Sequence, residues 1–218
     1  MKTILQPLIW LEEAVLDGLH AIGLGWGLAI VALTLLVRLS LLPLTLRQVA
    51  AGRRAAAHAP RLAEIRGRHR DDLIALPSEL AAYRRQHGLR TRGAFMGILA
   101  QILVVLSLAL LLRDDVAGGT FGDAGWLFID DLSEPATGAA LALLVGGYVA
   151  VQIVSLRLAA KLGPRRVAIA LLLPLPLLLA ATQIPSGVML YLLVSSAFGV
   201  AQKLALRARA PMRALAVT

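Results

Sequence analysis

Cysteine is absent from the 218 residues. Its absence excludes disulfides, thiolate metal sites and a cysteine nucleophile together. Aromatic residues are scarce, with three Trp, three Tyr and four Phe. That is too few to interleave with basic residues as stacking platforms, so no specific nucleic-acid sequence is expected as a partner. Asp and Glu are missing from every long apolar run, which leaves no carboxylate for a proton relay or an ion pair within a membrane. The HExxH and GxxxxGKS/T motifs are missing too. His20, His58, His69 and His87 all fall outside the apolar runs. No catalytic residue, metal site or cofactor is therefore expected, and the chain does not read as an enzyme. Met1 to Trp10 has neither the long apolar core nor the cleavage site of a signal peptide.

Apolar sequence is abundant. Hydrophobic residues make up 58% of the chain and the formal net charge is +9, with the charges grouped between apolar runs. A helix needs about 20 apolar residues to cross about 30 Å of hydrocarbon. Runs of that length are Trp26–Leu46 (26–46), Phe95–Leu112 (95–112) and Thr137–Leu156 (137–156). A longer run, Val167 to Leu206, is broken by Gln183-Ile184-Pro185-Ser186-Gly187 into spans 167–183 and 187–206. The expected fold class is an all-α membrane protein with five transmembrane helices.

Charge gives the orientation. The connection 47–94 carries eleven arginines against four acids, a net of +7. The connection 113–136 carries one arginine against six acids, a net of −5. The connection 157–166 and the tail 207–218 are basic and have no acids, whereas the segment 1–25 is net acidic. Basic and acidic segments thus alternate side for side, which places the N-terminus outside and the C-terminus in the cytoplasm. Segment 1–25 places Leu5, Leu8, Ile9, Leu11, Val15, Leu16 and Leu19 at the spacing of an amphipathic helix on the outer interface.

In the basic connection, Leu62, Ile65, Leu73, Leu76, Leu80 and Tyr83 recur at helical steps. Pro77 interrupts the run and Gly88 fits a helix C′ position, so a cytoplasmic helical hairpin is expected. Its charge suits docking on a ribosome, nascent chains or anionic lipid, and it suits equally a solvated loop that only orients the spans.

Arg38 is the informative side chain. It lies near the middle of span 1, about 12 Å from the cytoplasmic end at 1.5 Å per residue. A central arginine costs roughly 2.5–3.5 kcal/mol on insertion scales. Either it snorkels to the headgroups or it faces a water-filled cavity between helices. Gln101, Gln152, Tyr191, Ser195 and Gln202 are the polar side chains that could line such a cavity. The last three share one helical face. Together with Arg38 they form the candidate substrate groove.

Several stretches resemble the YidC/Oxa/Alb membrane protein insertases. GWGLAIVALTLLVRLSLLPLTLRQ (25–48) is similar to the family's first core span, with its arginine at Arg38 and its Pro-Leu exit at Pro43-Leu44. RHRDDLIALPSELAAYRRQHGL (68–89) resembles the second helix of the family's hairpin, and ILAQI (98–102) its glutamine motif. WLFIDDLSEP (126–135) resembles its outer loop. Pro174 with IPSGVMLYLLVSSAFGVAQK (184–203) resembles its last two spans. The departures are Ile102 and Leu103 after the glutamine, Gln183, Leu192 and a missing asparagine near Ser196. They bear on groove shape and client range.

The resemblance implies a short form without a large outer domain, in the bacterial inner membrane. It implies a groove open to cytoplasm and lipid, in which Arg38 attracts acidic client tails and no ATP is used. Newly made membrane proteins and membrane lipid are the implied partners, together with the ribosome and the Sec translocon. The alternatives are a non-inserting assembly scaffold and a small-solute channel or transporter.

Overall fold

The computed structural model describes residues 2–68, 72, 75–89, 92–115, 125–158 and 181–215. The helices are α1 (Lys2–Ala21), α2 (Trp26–Ser40), α3 (Leu42–Ala57), α4 (Ala59–Arg68), α5 (Ala75–Gln86), α6 (Arg92–Asp115), α7 (Gly138–Leu158) and, after a 3-10 turn at Ala181–Gln183, α8 (Ser186–Leu215). Among the described residues there is no strand, only isolated bridges of Trp126 with Ile129 and Pro135 with Pro185. The protein is all-α.

α7 has 21 residues, and the Ser186–Ala208 part of α8 has 23; both are long and apolar enough to cross a membrane. α2 and α3 add a third candidate span if they are counted as one broken span. Most of the expected connection 157–166 and span 167–183, with Pro174 and Pro176, lies outside the described residues.

The interruption at Leu41 falls inside the range expected as span 1, and Pro43 explains it. In a helix interior proline has no N–H for the carbonyl four residues back, and its ring clashes with that carbonyl. In the first turn of a new helix the missing N–H has no partner to lose. Pro43 stands in the first turn of α3.

The chain divides into two units, 1–38 with 103–218, and 39–102. The first unit has one apolar core. α1 gives it Leu5, Ile9 and Leu16, α2 gives Ile30 and Leu33, α6 gives Leu108 and Leu112, α7 gives Leu144, and α8 gives Val188 and Met189. Steps of three, four and seven put the residues of α1, α2 and α6 on one face of each helix. The opposite faces expose Leu28, Leu36, Leu143 and Ile153, as suits helices that meet lipid tails.

The stretches 126–135 and 184–187, some fifty residues apart in sequence, meet at one end of this core. Trp126 and Ile129 exchange backbone hydrogen bonds of 2.8 and 3.0 Å. Ser186 N–H donates to the Glu134 carbonyl (2.8 Å) and Gly187 N–H to the Leu132 carbonyl (2.9 Å). The Ser186 hydroxyl donates to the Asp131 carbonyl, and Arg113 Nη2 to the Gln183 carbonyl (2.6 Å). The first N–H groups of a helix have no partner within it. Here the loop supplies carbonyls for two of them, which fastens it over the start of α8.

In the second unit Leu62 and Ile65 of α4 are buried. His58 Nδ1 lies 2.9 Å from the Tyr83 hydroxyl of α5. Pro77 sits in the first turn of α5, where it starts the helix, and Ala75 N–H caps onto Asp72 Oδ1 (2.8 Å). Gly88 has φ 61°. Leu89 N–H to Arg84 O (2.8 Å) and Gly88 N–H to Arg85 O (3.2 Å) form the paired bonds of a Schellman C-terminus.

Candidate functional site

Arg38 ends the buried face of α2 and is itself half-buried. Its Nε donates a 2.7 Å hydrogen bond to Ser195 Oγ on α8, a partner 157 residues away in the chain. Ser195 is 1% exposed, and Tyr191, one turn earlier on the same face, is 0% exposed. Tyr191 lies near the guanidinium. Three of the residues singled out from the sequence therefore come together. The charge in α2 is met by the polar face of α8, not by bare hydrocarbon.

The other candidates are placed differently. Gln152 Nε2 donates to the Tyr148 hydroxyl one turn away on α7 (3.0 Å). That hydroxyl also bonds Ser196 of α8, so this pair joins α7 to α8. Gln202 lies farther along α8, with Nε2 buried and no partner among the described residues. Gln101 is half-buried in α6 and belongs to the second unit. Lys203 Nζ donates to Ser155 Oγ (2.6 Å), a second polar tie between α7 and α8.

Some polar contacts of this unit have no signal in sequence spacing. Thr34 is fully buried one turn before Arg38 and turns its hydroxyl back to the Ile30 carbonyl (2.7 Å). Glu12 of α1 is 2% exposed, with Oε1 2.7 Å from Ser107 Oγ of α6, and its Oε2 has no partner among the described residues. Tyr148, Ser107 and Glu12 would each pass for ordinary residues until the helices are packed.

Burial raises the Glu12 carboxyl to about 8, and the Ser107 hydrogen bond offsets only part of that rise. The native protein therefore holds a proton that the unfolded chain loses near pH 4.5. Stability should be full below that pH and fall as pH rises toward about 8. Thermal unfolding in detergent between pH 5 and 8 should show this slope, and Glu12→Gln should flatten it. An unchanged slope in Glu12→Gln would assign it to another group.

With this geometry in view, comparison with known proteins places the chain. The family model described as 60Kd inner membrane protein matches residues 18–213, a range that contains every candidate residue from Arg38 to Gln202. The chain belongs to the 60Kd inner membrane protein family. It is similar to the protein named "Membrane protein insertase YidC" of Pseudomonas paraeruginosa, 27% identical over 201 residues, covering 92% of this chain and 33% of the relative. The Wolinella succinogenes protein of the same name is 30% identical over 190 residues, covering 87% of this chain and 35% of the relative. That of Alkalilimnicola ehrlichii is 29% identical over 205 residues, 93% and 35% of the two chains. This chain spans about a third of the length of these relatives.

Proposed function

We propose that the chain is a membrane protein insertase and not an enzyme, working through a hydrophilic intramembrane groove that carries the single charge of Arg38. The observation that carries this reading is the tie of Arg38 to buried Ser195, beside Tyr191, in a chain of this family. A fixed guanidinium within the helix bundle attracts the acidic N-terminal tail of a client. The hydrated groove shortens the hydrocarbon path that the tail must cross, so the barrier falls without ATP. The loop 126–135 fastened over the start of α8 supports closure toward the outside. The apolar faces of spans 2 and 5 then guide the client helix sideways into lipid.

In this reading five spans (26–46, 95–112, 137–156, 167–183 and 187–206) cross the bacterial inner membrane. Segment 1–25 and the loop 113–136 lie outside, and the hairpin 47–94, the connection 157–166 and the tail 207–218 lie in the cytoplasm. Newly made membrane proteins and lipid are the direct partners, with the ribosome and the Sec translocon as suppliers of clients. The test uses vesicles containing this protein alone and a single-span client with an acidic N-tail. Insertion above that of protein-free vesicles supports the proposal, and an equal level in both contradicts it.

A further inference from the structure

Ser195 reads from the sequence as a residue that lines the groove. Its placement argues for another role. At 1% exposure it has no surface to offer a client, and its hydroxyl faces Nε of Arg38 at 2.7 Å. A guanidinium is planar, with five N–H donors in fixed directions. One acceptor at Nε restrains the head, and among the described residues it leaves the edge formed by Nη1 and Nη2 as a two-pronged fork. That fork matches the two oxygens of a carboxylate, and a bidentate pair is stronger and more directional than contact with a point charge. Tyr191, fully buried one turn earlier on α8, lies near the same head. Holding the head in advance also lowers the ordering cost of binding, because a free arginine would have to surrender its rotamers when the tail arrives.

We propose that Ser195 is a positioning residue, which holds Arg38 by Nε and so presents its Nη edge as a fork for the Asp and Glu carboxylates of client tails. This rests on the insertase reading and adds a specificity to it. The site selects carboxylates by geometry as well as by charge. A lysine at position 38 keeps the charge but has no counterpart of Nε for Ser195 to hold.

The test uses vesicles of the full chain and two single-span clients, one with an acidic N-tail and its twin with Asn and Gln in place of Asp and Glu. Ser195→Ala should lower insertion of the acidic client about tenfold, the size of one hydrogen bond to a charged group, and leave the neutral twin unchanged. Ser195→Thr, which keeps the hydroxyl, should retain the preference, whereas Ser195→Val, of the same shape without it, should not. This volume-matched pair carries the test if the alanine variant is poorly folded. In an Arg38→Lys background Ser195→Ala should have no further effect. An equal loss for both clients would overturn the proposal in favour of packing. Full insertion of the acidic client by Ser195→Ala would also overturn it, while loss of that insertion in Arg38→Ala would leave the groove reading standing. Should Arg38→Ala itself keep the acidic preference, the groove reading falls, and this proposal with it.

Discussion

Replacing Arg38 with alanine should reduce insertion of an acidic-tailed client by tenfold or more while leaving the protein folded. Two charges 4 Å apart attract by about 4 kcal/mol at an effective dielectric of 20, and each 1.4 kcal/mol is about tenfold in an equilibrium. Partial hydration and salt reduce this, so a loss near the lower end of that range is expected. The stability terms nearly cancel. Removing an intramembrane charge relieves roughly 2.5–3.5 kcal/mol of insertion cost. Losing the Ser195 bond gives back roughly 1.5–3 kcal/mol. Thermal unfolding in detergent should therefore stay close to that of the unsubstituted protein. Arg38→Lys keeps the charge without the bond to Ser195 and should fall between the two. A folded Arg38→Ala protein with full insertion would favour an assembly scaffold. An unfolded one would make Arg38 a structural residue.

Gly187 should be the position of α8 least tolerant of a side chain. A Cβ there would lie 2.8 Å from Leu112 Cδ1 and 3.0 Å from Ile30 Cδ1, which can shift. It would also lie 3.0 Å from the Leu132 carbonyl oxygen, which is held by the Gly187 N–H itself. Overpacking of this kind costs about 1–3 kcal/mol for a small group. The gain in helix propensity from Gly to Ala is at most about 1 kcal/mol, so the net change is a loss. Gly187→Ala should lower the unfolding temperature, and Gly187→Leu should prevent folding. Gly199, on the same helix, has nothing within 4 Å of a Cβ. Gly199→Ala should then be neutral or mildly stabilising. Equal stability of the two alanine variants would show that the junction of α2, α6, α8 and the loop 126–135 is looser than its geometry indicates.

Periodicity within one helix was readable from residue order alone. The shared face of Tyr191, Ser195 and Gln202 follows from steps of four and seven, and the hairpin end at Gly88 from its freedom at positive φ. Contacts between distant helices were not readable. Arg38 and Ser195 are 157 residues apart, and Glu12 and Ser107 are 95 apart, so their pairing depends on how the helices rotate against one another. Gln152 shows the limit most plainly, since a polar residue in an apolar run has the same signature whether it lines a cavity or bonds Tyr148 one turn away. Pro77 was visible as an interruption, whereas Pro43 stood inside the range expected as one span, 26–46. That each opens a new helix depends on the residues before them, Leu41 and Asp72, as much as on proline itself. The importance of Gly187 was hidden because its neighbours Ile30, Leu112 and Leu132 come from three separate segments.

The most direct test of the groove account puts the probe in the client and leaves this protein unaltered. A stalled nascent membrane protein would carry a photoreactive residue beside an acidic residue of its N-tail. After irradiation, the crosslinked peptides would be mapped by mass spectrometry. The account predicts adducts on α2 around Arg38 and on the facing part of α8 near Tyr191, lost when the acidic residue is neutralised. Adducts confined to the basic connection 47–94, or a pattern indifferent to the client's charge, would contradict it.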